Sequence, residues 1–159
     1  MTDGNLRRAA RAWLPVIAWG ALIWHLGGDD FGTSQSDGVL GPLLKWLLPW
    51  VSPEGHAFGL WLIRRSAHPA VYAVLALLVG RACWQTSPGL GPARQTALTL
   101  ALIALLAGAD EYRQARSAVR EGHSSDVALD LAGAALAIGA KSGWDSRFRR
   151  GKAAPKPRA

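Results

Sequence analysis

Two arginines, a histidine and a tyrosine stand at the start of an apolar stretch, in the segment RRSAHPAVY that begins at residue 64. Arg65, His68 and Tyr72 are three and four residues apart, so a helix would place them on one face. A histidine can exchange a proton near neutral pH, and an arginine can bind phosphate or carboxylate through paired hydrogen bonds. The segment could therefore provide proton transfer and anion binding, although His68 could equally bond an acid on a neighbouring helix.

The carboxylates that could complement these groups lie later in the chain, on both sides of a polar connection. Asp110 and Gln114 would share a helix face, whereas Glu111 would point about 100° away from Asp110. Asp126 and Asp130 form a stripe with small residues that would allow close contact between helices. Asp130 interrupts a run of Ala, Leu and Gly, where a charge is costly unless it faces protein or water. These acids could be proton acceptors or halves of interhelical ion pairs.

The elements that must position these residues are apolar. Half of the 159 residues are apolar, and the charged residues are concentrated at the ends and in the loops. This segregation is typical of a small membrane protein with several spans, because charge in a soluble domain follows every amphipathic element. The single cysteine, Cys83, can form no internal disulfide and is predicted to be a buried thiol.

The pattern predicts an all-α polytopic membrane protein with four transmembrane helices and a short interfacial or re-entrant helix. The spans are expected at residues 13–26, 66–84, 95–111 and 124–140, and the short helix at 39–51, after a loop at 27–38. Pro69 would lie in the first turns of the second span, where a missing backbone donor is tolerated. We expect His56 at the membrane interface, and headgroup depth for Trp46, Trp50 and Trp61.

Basic residues predict the orientation of the chain. Residues 1–12 are expected to be a cytoplasmic N-terminus, residues 13–140 the membrane domain and residues 141–159 a disordered, basic cytoplasmic tail. Six of the 18 lysines and arginines would then lie outside, which leaves twelve on the cytoplasmic side, in agreement with the positive-inside rule. The net charge of +7 is therefore expected to orient the protein in the plasma membrane. It does not predict nucleic acid binding, because the basic residues are not interleaved with an aromatic surface that could stack on bases.

This topology brings the unusual polar residues to the extracytoplasmic ends of three spans. It predicts one ionic site beneath the outer leaflet, built from residues that are distant in the chain. Ser125 would help to cap the fourth span. The histidine and the acids could bind a divalent cation, but no recognised ligand spacing is present, so we predict no metal and no cofactor.

The order of these residues resembles the VanZ-like family of small bacterial membrane proteins. The shared pattern is R-R-x-x-H-x-x-x-Y, then D-E-x-x-Q, then R-x-x-x-S-S-D-x-x-x-D-x-x-G, and it covers residues 62–139. One position departs from it, because members often carry an acid just before the tyrosine and this chain has Val71. The resemblance implies a location in the cell envelope, in a family named after an accessory protein of teicoplanin resistance.

The resemblance also supplies the candidate site residues. The candidates for catalysis are His68, Asp110, Glu111, Asp126 and Asp130, and those for ligand binding are Arg65, Tyr72, Gln114, Arg120 and Ser125. Three functions fit them. The first is a site that binds or acts on an anionic lipid or a lipid-linked glycan precursor, with a possible effect on glycopeptide susceptibility. The others are a noncatalytic accessory protein whose polar residues lock the helices together, and a transporter or flippase component that would need to form an oligomer. The residues alone do not decide whether the protein is an enzyme.

Overall fold

The computed structural model describes residues 3–28, 33–116 and 124–153, and these form five α-helices and no strand. The helices are α1 (Asp3–Leu26), α2 (Thr33–Leu47), α3 (Pro53–Thr86), α4 (Pro92–Gln114) and α5 (Ser124–Ala153). The predicted all-α class is confirmed for this part of the chain.

The ends of the two most apolar helices follow ordinary capping chemistry. Ser52 precedes α3 and its hydroxyl oxygen accepts a hydrogen bond from the Gly55 backbone amide at 3.2 Å. Both α3 and α4 begin with a proline, which has no amide hydrogen to leave unpaired in a first turn. The connection between them is short, and the Gln95 side chain closes it by donating to the Ser87 carbonyl at 3.1 Å.

Helix α3 is the centre of the fold. The other four helices all pack on it, and α4 also packs on α5. The core consists mainly of small and branched side chains on α3, of which Leu75, Ala76, Val79 and Ala82 are almost completely buried. Cys83 is part of this core, as the sequence predicted for an inert thiol. A residue of α3 therefore has neighbours on several helices, which makes this helix the natural place for a shared site.

Two helices, α3 and α4, are long and apolar enough to cross a membrane. The other two expected spans differ in composition: α1 carries Arg7, Arg8 and Arg11 in its first half, and α5 is rich in weakly apolar Ala and Gly. Four spans therefore remain a prediction. The 34 residues of α3 give a length of about 51 Å, which exceeds the hydrocarbon thickness of about 30 Å.

The helix boundaries correct several predictions. The expected loop at 27–38 is helical from Thr33, and α2 ends at Leu47 instead of residue 51. The helix of the second span begins at Pro53 instead of residue 66, because the Ser52 cap starts it earlier. Pro69 consequently lies in the helix interior and not in the first turns, so the Arg65 carbonyl lacks its usual amide partner.

The C-terminal prediction also changes. Helix α5 continues to Ala153, so residues 141–153 are helical where the sequence predicted a disordered tail. The ion pair between Lys141 and Asp145, at 2.5 Å and one turn apart, stabilises this extension.

His56, expected at the interface, is buried, and its Nε2 lies 3.0 Å from the Leu48 carbonyl. The chain thus uses this histidine to fix the turn between α2 and α3.

Candidate functional site

The predicted polar residues of three helices lie together at one end of the bundle. We call this group the ionic cluster; its members are Arg65, His68, Tyr72, Asp110, Glu111, Gln114, Asp126 and Asp130. Four of the polar members are buried, although none belongs to the residue types that usually fill a core: Asp110, Glu111, Gln114 and Asp130. Contacts between α3 and α5 bring Arg65 to Asp126 and His68 to Asp130. A position of this group beneath a membrane leaflet stays a prediction.

Helices α3 and α5 meet at an ion pair on the rim of the cluster. Arg65 Nη1 lies 2.9 Å from Asp126 Oδ1, and Arg65 Nη2 donates to Ser125 Oγ at 3.4 Å. The Ser125 hydroxyl lies 3.3 Å from Asp126 Oδ1. About a third of the Arg65 side chain is exposed, so the guanidinium is paired and still accessible from outside.

A second contact between the same helices lies one turn deeper. His68 Nδ1 is 4.0 Å from Asp130 Oδ2, which is beyond hydrogen-bond distance but within ion-pair range if the imidazole is charged. The Asp130 side chain is 3% exposed, whereas that of His68 is 28% exposed. Asp130 Oδ1 accepts no hydrogen bond from the described residues. An accessible imidazole is thus backed by a buried carboxylate with spare acceptor capacity.

Helix α4 contributes Asp110, a carboxylate whose two oxygens both accept hydrogen bonds. Asp110 Oδ1 accepts a hydrogen bond from Arg113 Nη2 at 2.8 Å, and Asp110 Oδ2 accepts one from Gln114 Nε2 at 2.9 Å. The prediction that Asp110 and Gln114 share a helix face is confirmed. The cation beside Asp110 is Arg113 and not Arg65, because Arg113 is one turn away on the same helix.

Tyr72 lies at the centre of the cluster and is almost completely buried. Tyr72 is on α3, and both α4, which carries Asp110, and α5, which carries Asp130, pack on this helix. Glu111 was expected to be structural or solvated, since it lies on a different face from Asp110. It is buried, which agrees with a structural role and not with exposure to solvent.

Helix α1 adds a contact that sequence reasoning missed. The Arg113 guanidinium carbon lies 4.2 Å from the centre of the Trp24 ring, a cation–π distance. Gly27 lies against the same side chain: a Cβ there would be 3.0 Å from Asp110 Oδ1 and closer still to Arg113 Nη2. Two features of the sequence could have indicated this contact. They are the i, i+3 spacing of Asp110 and Arg113 and the paired glycines after the first apolar run.

Other candidates stand apart from the cluster or outside the described residues. Arg64 points away from it and pairs with Asp37 of α2, in the segment predicted as a loop. Arg120 lies outside the described residues. In residues 3–28, 33–116 and 124–153 no three metal-ligating side chains are grouped so that they could hold an ion.

The pairing of charges limits what the cluster can do. Each arginine beside it already has a carboxylate, Arg65 with Asp126 and Arg113 with Asp110. An anionic ligand would therefore compete with these acids, most easily at the exposed Arg65. His68, which is partly exposed and faces the buried carboxylate of Asp130, can exchange a proton with a bound molecule at the rim.

The chain matches no family model, no curated protein and no solved structure. The resemblance to the VanZ-like family thus rests on the residue pattern alone.

Proposed function

We propose that the chain is an integral membrane protein of the bacterial cell envelope, similar to the VanZ-like family, with its ionic cluster below the outer leaflet. The cluster binds, or acts on, the headgroup of an anionic lipid or a lipid-linked glycan precursor. Two helices have the length and apolarity to cross a membrane. Large apolar side chains also point outward from α1 and α5, among them Leu14 and Leu136, as a lipid-facing surface would require. Both termini are cytoplasmic in this proposal.

The observation that carries the proposal is the pair formed by His68 and Asp130. A buried carboxylate behind an accessible imidazole is the arrangement that orients a proton-transferring histidine, and such contacts often shorten when a substrate binds. Arg65 stands one turn above on the same face and presents a guanidinium at the rim, where a phosphate can exchange with Asp126. Asp130 would be an expensive residue to keep in an apolar helix without such a role.

The second candidate, a set of interhelical locks without a ligand, is favoured by the ion pair of Arg65 with Asp126 across α3 and α5. The two candidates predict opposite effects for the isosteric substitution Asp130→Asn. If Asp130 belongs to a site, its removal relieves a buried charge that lacks a full set of partners, so stability is unchanged or rises. If Asp130 is a lock, the same substitution lowers the stability of the protein and its amount in the membrane.

The experiment measures accumulation, thermal stability in detergent and teicoplanin susceptibility of cells that express the chain. We expect Asp130→Asn and His68→Gln to accumulate normally and to abolish any change in susceptibility that the wild-type chain causes. Asp145→Asn is the matched control, because Asp145 lies on the same helix in an exposed pair with Lys141. Full function of both cluster variants would refute the site, and depletion of Asp130→Asn would favour the lock.

A further inference from the structure

Helix α2 carries an exposed apolar face that is not the face it packs on α3. The packed side carries Leu44, whose Cδ2 lies 3.0 Å from where a Cβ at Gly59 would be. The exposed large side chains recur every three or four positions on another side of the helix. We call them the α2 stripe; its members are Val39, Leu43, Trp46, Leu47 and, in the turn that follows the helix, Trp50.

The chemistry of this surface indicates lipid as its partner. Trp46 and Trp50 are 76% and 77% exposed. Two more exposed aromatic residues, Phe58 and Trp61, stack in the first turns of α3 with ring centres 5.7 Å apart. Tryptophan is enriched at membrane–water interfaces, where its ring meets the acyl chains and its N–H meets water. The surface is also continuous with α3, one of the two helices that are apolar enough to cross a membrane.

A second aromatic band lies at the opposite end of the bundle. Its members are Trp84 of α3 and Trp144 of α5, which are both exposed. The two ion pairs between these helices follow the same order on both, so the helices run in the same direction and the two tryptophans lie at similar levels. Trp61 and Trp84 are about 35 Å apart along α3, between the hydrocarbon thickness of about 30 Å and the full bilayer thickness of about 40–45 Å. The two bands therefore match the two interfaces of one bilayer.

The length of α3 determines how the stripe can reach the headgroups. Its length of about 51 Å exceeds even the full bilayer thickness of about 40–45 Å, so in an upright helix the turn between α2 and α3 would project into water. A tilt of about 30–40° brings the whole helix within that thickness, and spanning helices are found at about 0–40°. Such a tilt lowers one side of the α2–α3 hairpin toward the membrane, and the apolar side is the one that lipid would accept.

We propose that the α2 stripe lies against the headgroup layer at the end of the bundle that carries the ionic cluster, and that it holds α3 at a tilt of about 30–40°. The anchor presupposes the membrane location of the proposed function and adds a lipid surface as a partner of α2. It also fixes the depth of the cluster. Arg65 is about 6 Å farther along α3 than Trp61, so an anchored Trp61 keeps the rim of the cluster just below the headgroups.

The test measures the depth of a fluorescent probe on single cysteines, after replacement of the one native cysteine by Cys83→Ala. The full chain is placed in nanodiscs of phosphatidylcholine and phosphatidylglycerol, and the probe is quenched by a nitroxide on the lipid acyl chains or by aqueous iodide. At Leu43→Cys and Leu47→Cys, lipid quenching should exceed aqueous quenching. Lys45→Cys is the matched control, because Lys45 is exposed on the same helix and lies at least about 100° around from each helical residue of the stripe. There the order should be reversed.

Removal of two tryptophans tests whether the stripe causes this position. Trp46→Gln with Trp50→Gln should move the probe at residue 43 toward water, with a loss of lipid quenching and a gain of iodide quenching. Trp144→Gln, which changes an exposed tryptophan at the opposite end, should leave that probe unchanged. Equal thermal unfolding of these proteins shows that the fold is kept, since all three side chains are exposed. An unchanged probe in the double variant would overturn the anchor.

A probe at Leu77→Cys separates failure of the anchor from failure of the proposed function. Leu77 is exposed near the middle of the apolar part of α3, so lipid should quench it wherever α3 crosses the membrane. Lipid quenching at residue 77 with iodide quenching at 43 and 47 would refute the anchor and leave the span intact. Iodide quenching at residue 77 would refute the membrane location itself. Protection of residues 43 and 47 from both quenchers would show that protein, such as a second copy of the chain, covers the stripe, and this too would overturn the lipid.

Discussion

The two sides of the ionic cluster are built differently. On the α5 side, Gly133 lies so close to α3 that a Cβ there would be 2.9 Å from Cα and the carbonyl carbon of Pro69, and closer still to the Pro69 carbonyl oxygen. On the α1 side, the nearest atoms to Gly27 belong to the ends of the Arg113 and Asp110 side chains. One contact is between backbones and the other is between a glycine and flexible side chains.

This difference predicts which side of the cluster can move. Two backbones in contact cannot separate without opening the whole seam between α3 and α5, which also holds the pairs of Arg65 with Asp126 and His68 with Asp130. Arg113 can change rotamer and release α1 at a much smaller cost. The comparison indicates a rigid seam that fixes the acids and the histidine, opposite an adjustable seam that is held by the Arg113 side chain.

Gly133→Ala should have the largest effect on stability. The added methyl group must push the Pro69 backbone away, and overpacking of this kind costs about 1–3 kcal/mol, more than the roughly 1 kcal/mol that alanine gains over glycine in a helix. Thermal unfolding in detergent should therefore show a lower melting temperature. Gly139→Ala on the same helix meets no atom within 4 Å, so it should raise the melting temperature. A stable Gly133→Ala protein would mean that the seam between α3 and α5 is not rigid.

Gly27→Ala should have a smaller effect. The methyl group would displace the Arg113 guanidinium, and the loss of its cation–π contact with Trp24 should cost about 0.5–1 kcal/mol. The backbone at Gly27 does not have a positive φ, so the effect is steric and not conformational. The effects of Gly27→Ala and Arg113→Gln should be less than additive, because both remove the contact with Trp24, whereas only Arg113→Gln also removes the ion pair with Asp110.

Gly20→Ala is the control for this cycle, since Gly20 is on the same helix and a Cβ there meets no neighbour. An effect of Gly27→Ala as large as that of Gly133→Ala would remove the distinction between the two seams.

The sequence anticipated the rigid seam better than the adjustable one. The stripe of Asp126, Asp130 and Gly133 follows directly from helical spacing, and so does the face shared by Arg65 and His68, because both depend only on residues within one helix. Spacing also placed Glu111 on a different face from Asp110. Its burial depends on how the other helices pack against α4, and no spacing within α4 contains that information.

The contacts made by α1 and α2 could not be predicted from the sequence, for a related reason. Arg113 pairs locally with Asp110, but its stacking on Trp24 joins residues from helices with no common periodicity. Ser52 and Pro53 are typical of a helix start and could have predicted where α3 begins. The requirement for about twenty apolar residues instead placed the start of the second span at residue 66. Apolar length therefore found the two most apolar helices, α3 and α4, and missed the capping signals beside α3.

The smallest expected effect concerns the rim of the rigid seam. Arg65→Asp and Asp126→Arg should each destabilise the protein, and the double substitution should restore most of the loss. The coupling energy should be about 0.2–1 kcal/mol, because about a third of the Arg65 side chain is exposed and water weakens such a pair. Unfolding in detergent of the four proteins of this cycle gives the value. The exposed pair of Lys141 and Asp145 provides the reference for an ion pair within one helix.

The size of this coupling decides how Arg65 can serve a ligand. A value near that of the Lys141 and Asp145 pair means that a phosphate can replace Asp126 at the guanidinium for little free energy, since bidentate contacts with phosphate and carboxylate are similar in geometry. A value above about 2 kcal/mol would be typical of a desolvated pair. Arg65 would then be committed to holding α3 against α5, and a phosphate could not replace Asp126 there without a large loss of stability.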